Sequence, residues 1–275
     1  MGLQGKYTAH IAVAASAVAL SLAAWGATVL TNGEAAARAD SGASAGQQSG
    51  GAGGSAGAGG QAKEPAQVKP VKVPESIAHA AEAGGTAVNI TIDDGPDPRW
   101  TPRILDILKQ NDVKAVFCMV GPRAKEFPDL VKRIVADGHR LCDHTVTHDT
   151  TMDKKSVAYQ RQQILDAKRM IEDAAGGAKV EYYRAPGGAF TPQSRRIAAE
   201  AGMRPLGWNV DTKDFERPGS AAIVNTVKHE LSNGPTILFH DGGGDRAQTA
   251  AALEQVLPWL KEQGHTFSFP VRISP

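Results

Sequence analysis

Residues 87–96 read AVNITIDDGP. A seven-residue run rich in β-branched and apolar side chains ends in two carboxylates, and Gly-Pro then turns the chain away. Such a stretch is a strand that delivers negative charge to one end of a sheet. The segments downstream repeat the scheme. ILDILKQ (104–110) has helical spacing, and AVFCMV (115–120) is a second strand. From Pro122 to Ala136, Phe127, Leu130, Val131 and Ile134 form one helical stripe. HRLCDH (139–144) reads as a third strand and Val157–Ala175 as a long helix. Short strands are expected near Tyr182–Arg184, Leu206–Asn209, Thr236–His240 and Thr266–Phe269. Helices between them stop at Gly176-Gly177, Gly202 and Gly264. About seven β–α units imply parallel strands. The expected class is α/β, a distorted (β/α) barrel with about seven parallel strands; an open doubly wound sheet is the alternative.

Upstream the composition changes. From Ile11 to Gly33 no residue is charged, and the run is apolar throughout. It is long enough to span a hydrocarbon core of ~30 Å. Ala37-Arg38-Ala39 also matches a signal-cleavage site. Residues 1–39 therefore read as a signal peptide or membrane anchor, with length favouring the anchor. Positive charge before the run places everything after it outside the membrane. An extracellular or cell-surface location is expected, with membrane contact through residues 1–39 where these are retained. Between Ser41 and Gln61 there are nine glycines and no charge; Pro65, Pro70 and Pro74 follow. Residues 40–82 read as a flexible, then stiffer tether, and 83–275 as one catalytic domain.

The 275-residue chain carries a net charge of +1, too little to hold nucleic acid, and two cysteines exclude a disulfide-built scaffold. Cys118 and Cys142 fall on the second and third strands; a disulfide and a pair of buried thiols both remain open. A monomer is expected.

Asp93, Asp94, His144, Arg184, His240 and Asp241 all fall at strand ends. In a β/α barrel such ends share one mouth. Of eight histidines, His139 and His265 begin strands on the opposite rim, His229 sits in a helix, and His10 and His79 precede the domain. The i, i+4 pair in HTVTH would face one way on a helical turn. Two histidines and a carboxylate suit a metal with open positions, Zn²⁺ or Fe²⁺.

Five motifs now stand in order: TIDDGP (91–96), HTVTH (144–148), RAPGG (184–188), DTKDF (211–215) and LFHD (238–241). Over about residues 85–270 the chain resembles the polysaccharide deacetylases, carbohydrate esterase family four, which include the nodulation-type chitooligosaccharide deacetylases. The resemblance implies a distorted (β/α) barrel and a divalent metal, zinc above all, with cobalt or nickel accepted, on Asp94, His144 and His148. It implies Asp93 as general base, held by Arg184, and His240 as general acid, its pKa raised by Asp214. Leu238 would face the acetyl methyl. Pro186 and Gly187 would bind substrate, with a backbone N–H at the oxyanion, and Phe215 would flank it. The implied reaction removes acetyl groups from N- or O-acetylated glycan, peptidoglycan or chitooligosaccharide first. Acetylxylan esterase and non-catalytic glycan-binding module are the alternatives. Three positions depart from the family pattern. Gly187 replaces a common aromatic residue, implying a lost wall of the groove. Phe215 replaces the usual Trp, implying looser packing about Asp214 and His240. Ile92 replaces a common Phe.

Overall fold

The computed structural model describes residues 73–273. The expected export or anchor segment and the glycine-rich part of the tether lie outside them. Among the described residues no helix is long and apolar enough to cross a membrane.

Eight strands are described: β1 (Ala87–Asp93), β2 (Ala115–Met119), β3 (Arg140–Asp143), β4 (Val180–Tyr183), β5 (Arg204–Pro205), β6 (Val210–Asp211), β7 (Thr236–His240) and β8 (Thr266–Phe267). Their helices are α1 (Trp100–Gln110), α2 (Gly121–Glu126), α3 (Pro128–Ala136), α4 (Val157–Ala174), α5 (Pro192–Glu200), α6 (Ser220–Glu230) and α7 (Ala247–Glu262). The strands run β5-β4-β3-β2-β1-β7-β6, every pair parallel, and β8 adds to the start of β1. Among the described residues no ladder joins β5 to β6, so this is a distorted barrel left open between two of its two-residue strands.

β1 shows why the barrel forms. Side chains alternate across a strand. Val88, Ile90 and Ile92 point into the main core with Ile104, Leu105 and Leu108 of α1. Asn89, Thr91 and Asp93 point the other way, yet all are buried. An inward polar row inside a curled sheet has to find partners. The Asn89 side-chain amide meets Thr236 Oγ1 at 2.9 Å, and Thr91 Oγ1 donates to the Ile237 carbonyl at 2.8 Å. A second, smaller cluster of Ala78, Val116, Cys118, Cys142, Tyr182 and Leu206 fills the rest of the interior. Cys118 and Cys142 are register partners on β2 and β3 and form a disulfide.

Four expectations need correction. The stripe over 122–136 is two helices, because Pro128 has no N–H to continue α2 and starts α3 instead. Leu206–Asn209 is the link between β5 and β6, not a strand. Its Gly207 closes on His79, whose ring occupies the place of a Cβ. The domain begins before residue 83: Val73, Ala78 and Ala81 are buried, and Ala78 N–H donates to the Pro205 carbonyl at 2.8 Å. His79, read as tether, therefore belongs to the folded part. Finally, His144 and Arg184 follow their strands rather than end them.

Parallel register levels the mouth. Asp93 stands opposite Cys118 on one side and His240 on the other; Asp143 stands opposite Met119 and Tyr183. His144 and Arg184 each come one residue after those partners. Residues far apart in sequence thus reach one layer, at strand spacings of about 4.8 Å.

Candidate active site

That layer opens into a cavity of about 570 Å³. Asp93, Asp94, His144, His148, Leu238 and His240 line it. Asp94 leaves β1 with φ 78°, a left-handed conformation that a non-glycine residue holds only where its surroundings impose it. Here the surroundings include Gly242, where a Cβ would collide with the Asp94 carbonyl.

His144 and His148 do not share a helical turn. Residues 144–148 are irregular, with Thr145 at φ 70° and His148 at φ 52°. The loop is held by polar contacts: Thr145 N–H donates to Asp143 Oδ1 at 2.7 Å, and Gln163 Oε1 accepts from Thr147 N–H at 2.9 Å. The spacing brings the imidazoles together by a different backbone from the one expected. The two rings stand 4.9 Å apart, edge to face.

Asp94 Oδ1 lies 3.5 Å from His144 Nε2 and 3.1 Å from His148 Nε2. It is nonetheless a buried oxygen with no directed hydrogen-bond partner. His144 Nδ1 lies 2.8 Å from the Arg184 carbonyl. A carbonyl only accepts, so His144 carries a proton on Nδ1 and turns Nε2 toward Asp94. Burial opposes the Asp94 charge, but the two imidazoles outweigh it and hold the carboxyl well below the usual carboxylate range. One orphaned carboxylate oxygen and two imidazole nitrogens, all within 4.8 Å, fit a divalent cation of borderline softness.

Asp93 lies beside this trio. Its Oδ1 accepts from Arg184 Nη1 at 2.7 Å, and its Oδ2 lies 3.5 Å from His144 Nε2. Arg184 is fully buried. It also donates to Thr91 Oγ1 and to the Leu206 and Gly207 carbonyls. Across the cavity His240 Nδ1 lies 2.6 Å from Asp214 Oδ1. Burial disfavours the imidazolium, but the Asp214 carboxylate prevails and the His240 pKa is pushed up to about 9. Asp214 is itself fixed by the His240 N–H at 2.9 Å and by Thr249 Oγ1 at 2.8 Å. Phe215 is itself 41% exposed. The Phe215 ring stands edge-on to His240 at 5.3 Å.

Of the expected substrate-binding residues, Leu238, Gly187 and Phe215 line the cavity; Pro186 is buried behind it. Gly187 has φ 58°, and a Cβ there would press on Thr150 at 3.3 Å. The wall that the missing aromatic residue seemed to remove is present from another element. Trp208, on the β5–β6 link, lines the cavity and packs against Gly188. Sequence reasoning missed Trp208 and Arg246, each a single residue outside the five motifs. Asp241 was seen at its strand end but given no role. It is buried, its pKa pushed up to about 7 chiefly by that burial, and it accepts from the Thr101 hydroxyl.

The family model described as polysaccharide deacetylase matches residues 80–206. The chain is 39% identical over 185 residues to a peptidoglycan-N-acetylglucosamine deacetylase of Bacillus cereus, covering 66% of this chain and 84% of that one. It is 37% identical over 193 residues to a chitooligosaccharide deacetylase of Sinorhizobium fredii, covering 66% and 88%. Among solved structures it is similar to a mutant of a CE4 family pseudoenzyme of Bacillus anthracis with restored enzymatic activity. There the TM-score is 0.65 at 32% identity, over 70% of this chain and 69% of that one. A pseudoenzyme with this fold means that activity has to be argued from the side chains in the site.

Proposed function

The chain belongs to the polysaccharide deacetylase family, and from that premise we propose that it hydrolyses N-acetyl groups of peptidoglycan or chitooligosaccharide at the cell surface with the help of a divalent metal, zinc before cobalt or nickel. The observation that carries the reading is the single layer holding Asp93, Asp94, His144, His148 and His240. Asp94 Oδ1, His144 Nε2 and His148 Nε2 would hold the metal, which when bound supplies Lewis acidity toward the acetyl carbonyl and a more acidic water. Asp93 Oδ2 takes the proton of the attacking water, while Arg184 holds Oδ1 and orients the carboxylate. By the family resemblance, the backbone N–H of Gly187, which lines the cavity, would stabilise the oxyanion. His240, held through Nδ1 by Asp214, gives the Nε2 proton to the departing sugar amine, and acetate leaves. The cell-surface assignment rests on the composition of residues 1–82 and remains this reading's own.

The test is acetate release from peptidoglycan and from N-acetylated chitooligosaccharide, before and after chelation. Release that stops on chelation and returns with zinc is expected. Retained strand binding with no metal-dependent release would instead mark a binding module.

A pH profile tests the acid. His240 must be protonated to donate, so activity persists to about pH 9 and falls above it. Asp214→Asn removes the carboxylate and leaves burial, which favours the neutral ring. Asp93 and Asp94 still favour the charged ring, so the alkaline limb of kcat should then move down from about 9 toward the ordinary histidine value of 6.5. A limb that stays near 9 would remove His240 from the acid role.

A further inference from the structure

Arg246 is the cation in the cavity that the reaction does not use. It stands at the start of α7, separated by Asp245 from the glycine turn 242–244, and is 3% exposed. Its Nε donates to the Gly242 carbonyl at 2.7 Å. Among the described residues no carboxylate lies within ion-pairing distance of it. The other two guanidinium or ammonium groups at this centre are taken: Arg184 by Asp93, and Lys213 by Asp211 at 2.8 Å. Gly243 separates Arg246 from the metal site. A Cβ there would stand 3.1 Å from Arg246 Nη2 and 3.2 Å from Asp94 Oδ2. The glycine thus keeps the space in front of the guanidinium open, immediately beside the reacting centre.

The remaining N–H groups of this guanidinium open into the cavity, where a ligand can meet them. Its planar fork matches a carboxylate. The cavity also carries Asp93, Asp94 and Asp211, which would repel an anionic ligand that had no cation to meet. We propose that Arg246 is a carboxylate-binding residue of this site. The carboxylate comes either from the glycan strand, on a sugar next to the acetylated one, or from the released acetate. The inference rests on the deacetylase reading above and adds a preference among its substrates. Peptidoglycan strands freed of stem peptide carry lactyl carboxylates, and chitooligosaccharides carry none.

Two measurements on the full chain separate the sources. The first is the ratio of kcat/KM on lactyl-bearing peptidoglycan fragments to kcat/KM on chitooligosaccharide of equal length. Folded fraction and metal occupancy scale both rates equally, so the ratio reports on the carboxylate alone. In Arg246→Gln this ratio should fall about tenfold through KM, and Arg246→Lys should recover part of it. The second is calorimetric titration with free acetate, in which Arg246→Gln should weaken binding about tenfold if the product is the ligand. A fall in either supports the proposal and identifies the source. An unchanged ratio together with unchanged acetate affinity overturns it. If the wild-type chain released no acetate from any strand, the deacetylase reading would fail, while the acetate titration would still decide the role of Arg246.

Discussion

Asp93→Asn is expected to lower kcat for acetate release by about a hundred- to ten-thousand-fold, the range of a positioned general base. The substitution keeps the shape of the side chain and removes its capacity to take a proton. Oδ1 belongs to Arg184 at 2.7 Å, so the loss falls on Oδ2, the oxygen that faces His144. Asp94, His144 and His148 are untouched, and metal content measured by elemental analysis should match the wild type. That pairing of results distinguishes a base from a ligand. His148→Ala should do the reverse and lower metal occupancy first. If the Asn variant retained kcat within about tenfold at full metal occupancy, Asp93 would be an orienting residue and another group would have to take the proton.

The same residue marks how far the sequence could be read. β1 and β7 lie where the apolar, β-branched runs 87–93 and 236–240 place them, because central strands of a parallel sheet are buried on both faces and give a continuous signal. The mouth followed from strand ends alone, since parallel register converts "last residue of a strand" into "same layer". Where a contact rather than a pattern decides the backbone, the signal ran out. HTVTH has helical spacing, but Thr145 and His148 are left-handed and Gln163, from α4, holds the loop. Nothing local in TVT announces that. LGWN looks like a strand by composition, yet Gly207 is drawn out to meet His79, and its carbonyl accepts from Arg184. The missing aromatic at Gly187 suggested a widened groove, and Trp208 closes that side from a different element. Arg246 left a trace, an arginine after three glycines just beyond LFHD. Its meaning depends on the absence of a partner, and only the folded chain reveals that.

Arg184→Met should be among the most destabilising substitutions in the site, lowering the unfolding free energy from a reversible urea transition by about 3–5 kcal/mol. A bland surface salt bridge would contribute little, at most about 1 kcal/mol. This pair is different in kind, because Arg184 and Asp93 have side-chain exposures of 0% and 3%. Removing the guanidinium strands a buried carboxylate among apolar strands, and it also releases the Leu206 and Gly207 carbonyls that the guanidinium ties to β1. The two costs can be separated. Adding Asp93→Asn removes the stranded charge but does nothing for the carbonyls. If the charge dominates, the double variant should be more stable than the sum of the singles by about 1–3 kcal/mol. If the costs simply add, Arg184 matters chiefly as the tie between β1 and the β5–β6 link. The first result would mean that the base is kept ionised at the expense of a charge pair the barrel cannot do without. That would explain why Thr91, Asp93 and Arg184 fill the interior where a chain built only for stability would place apolar side chains.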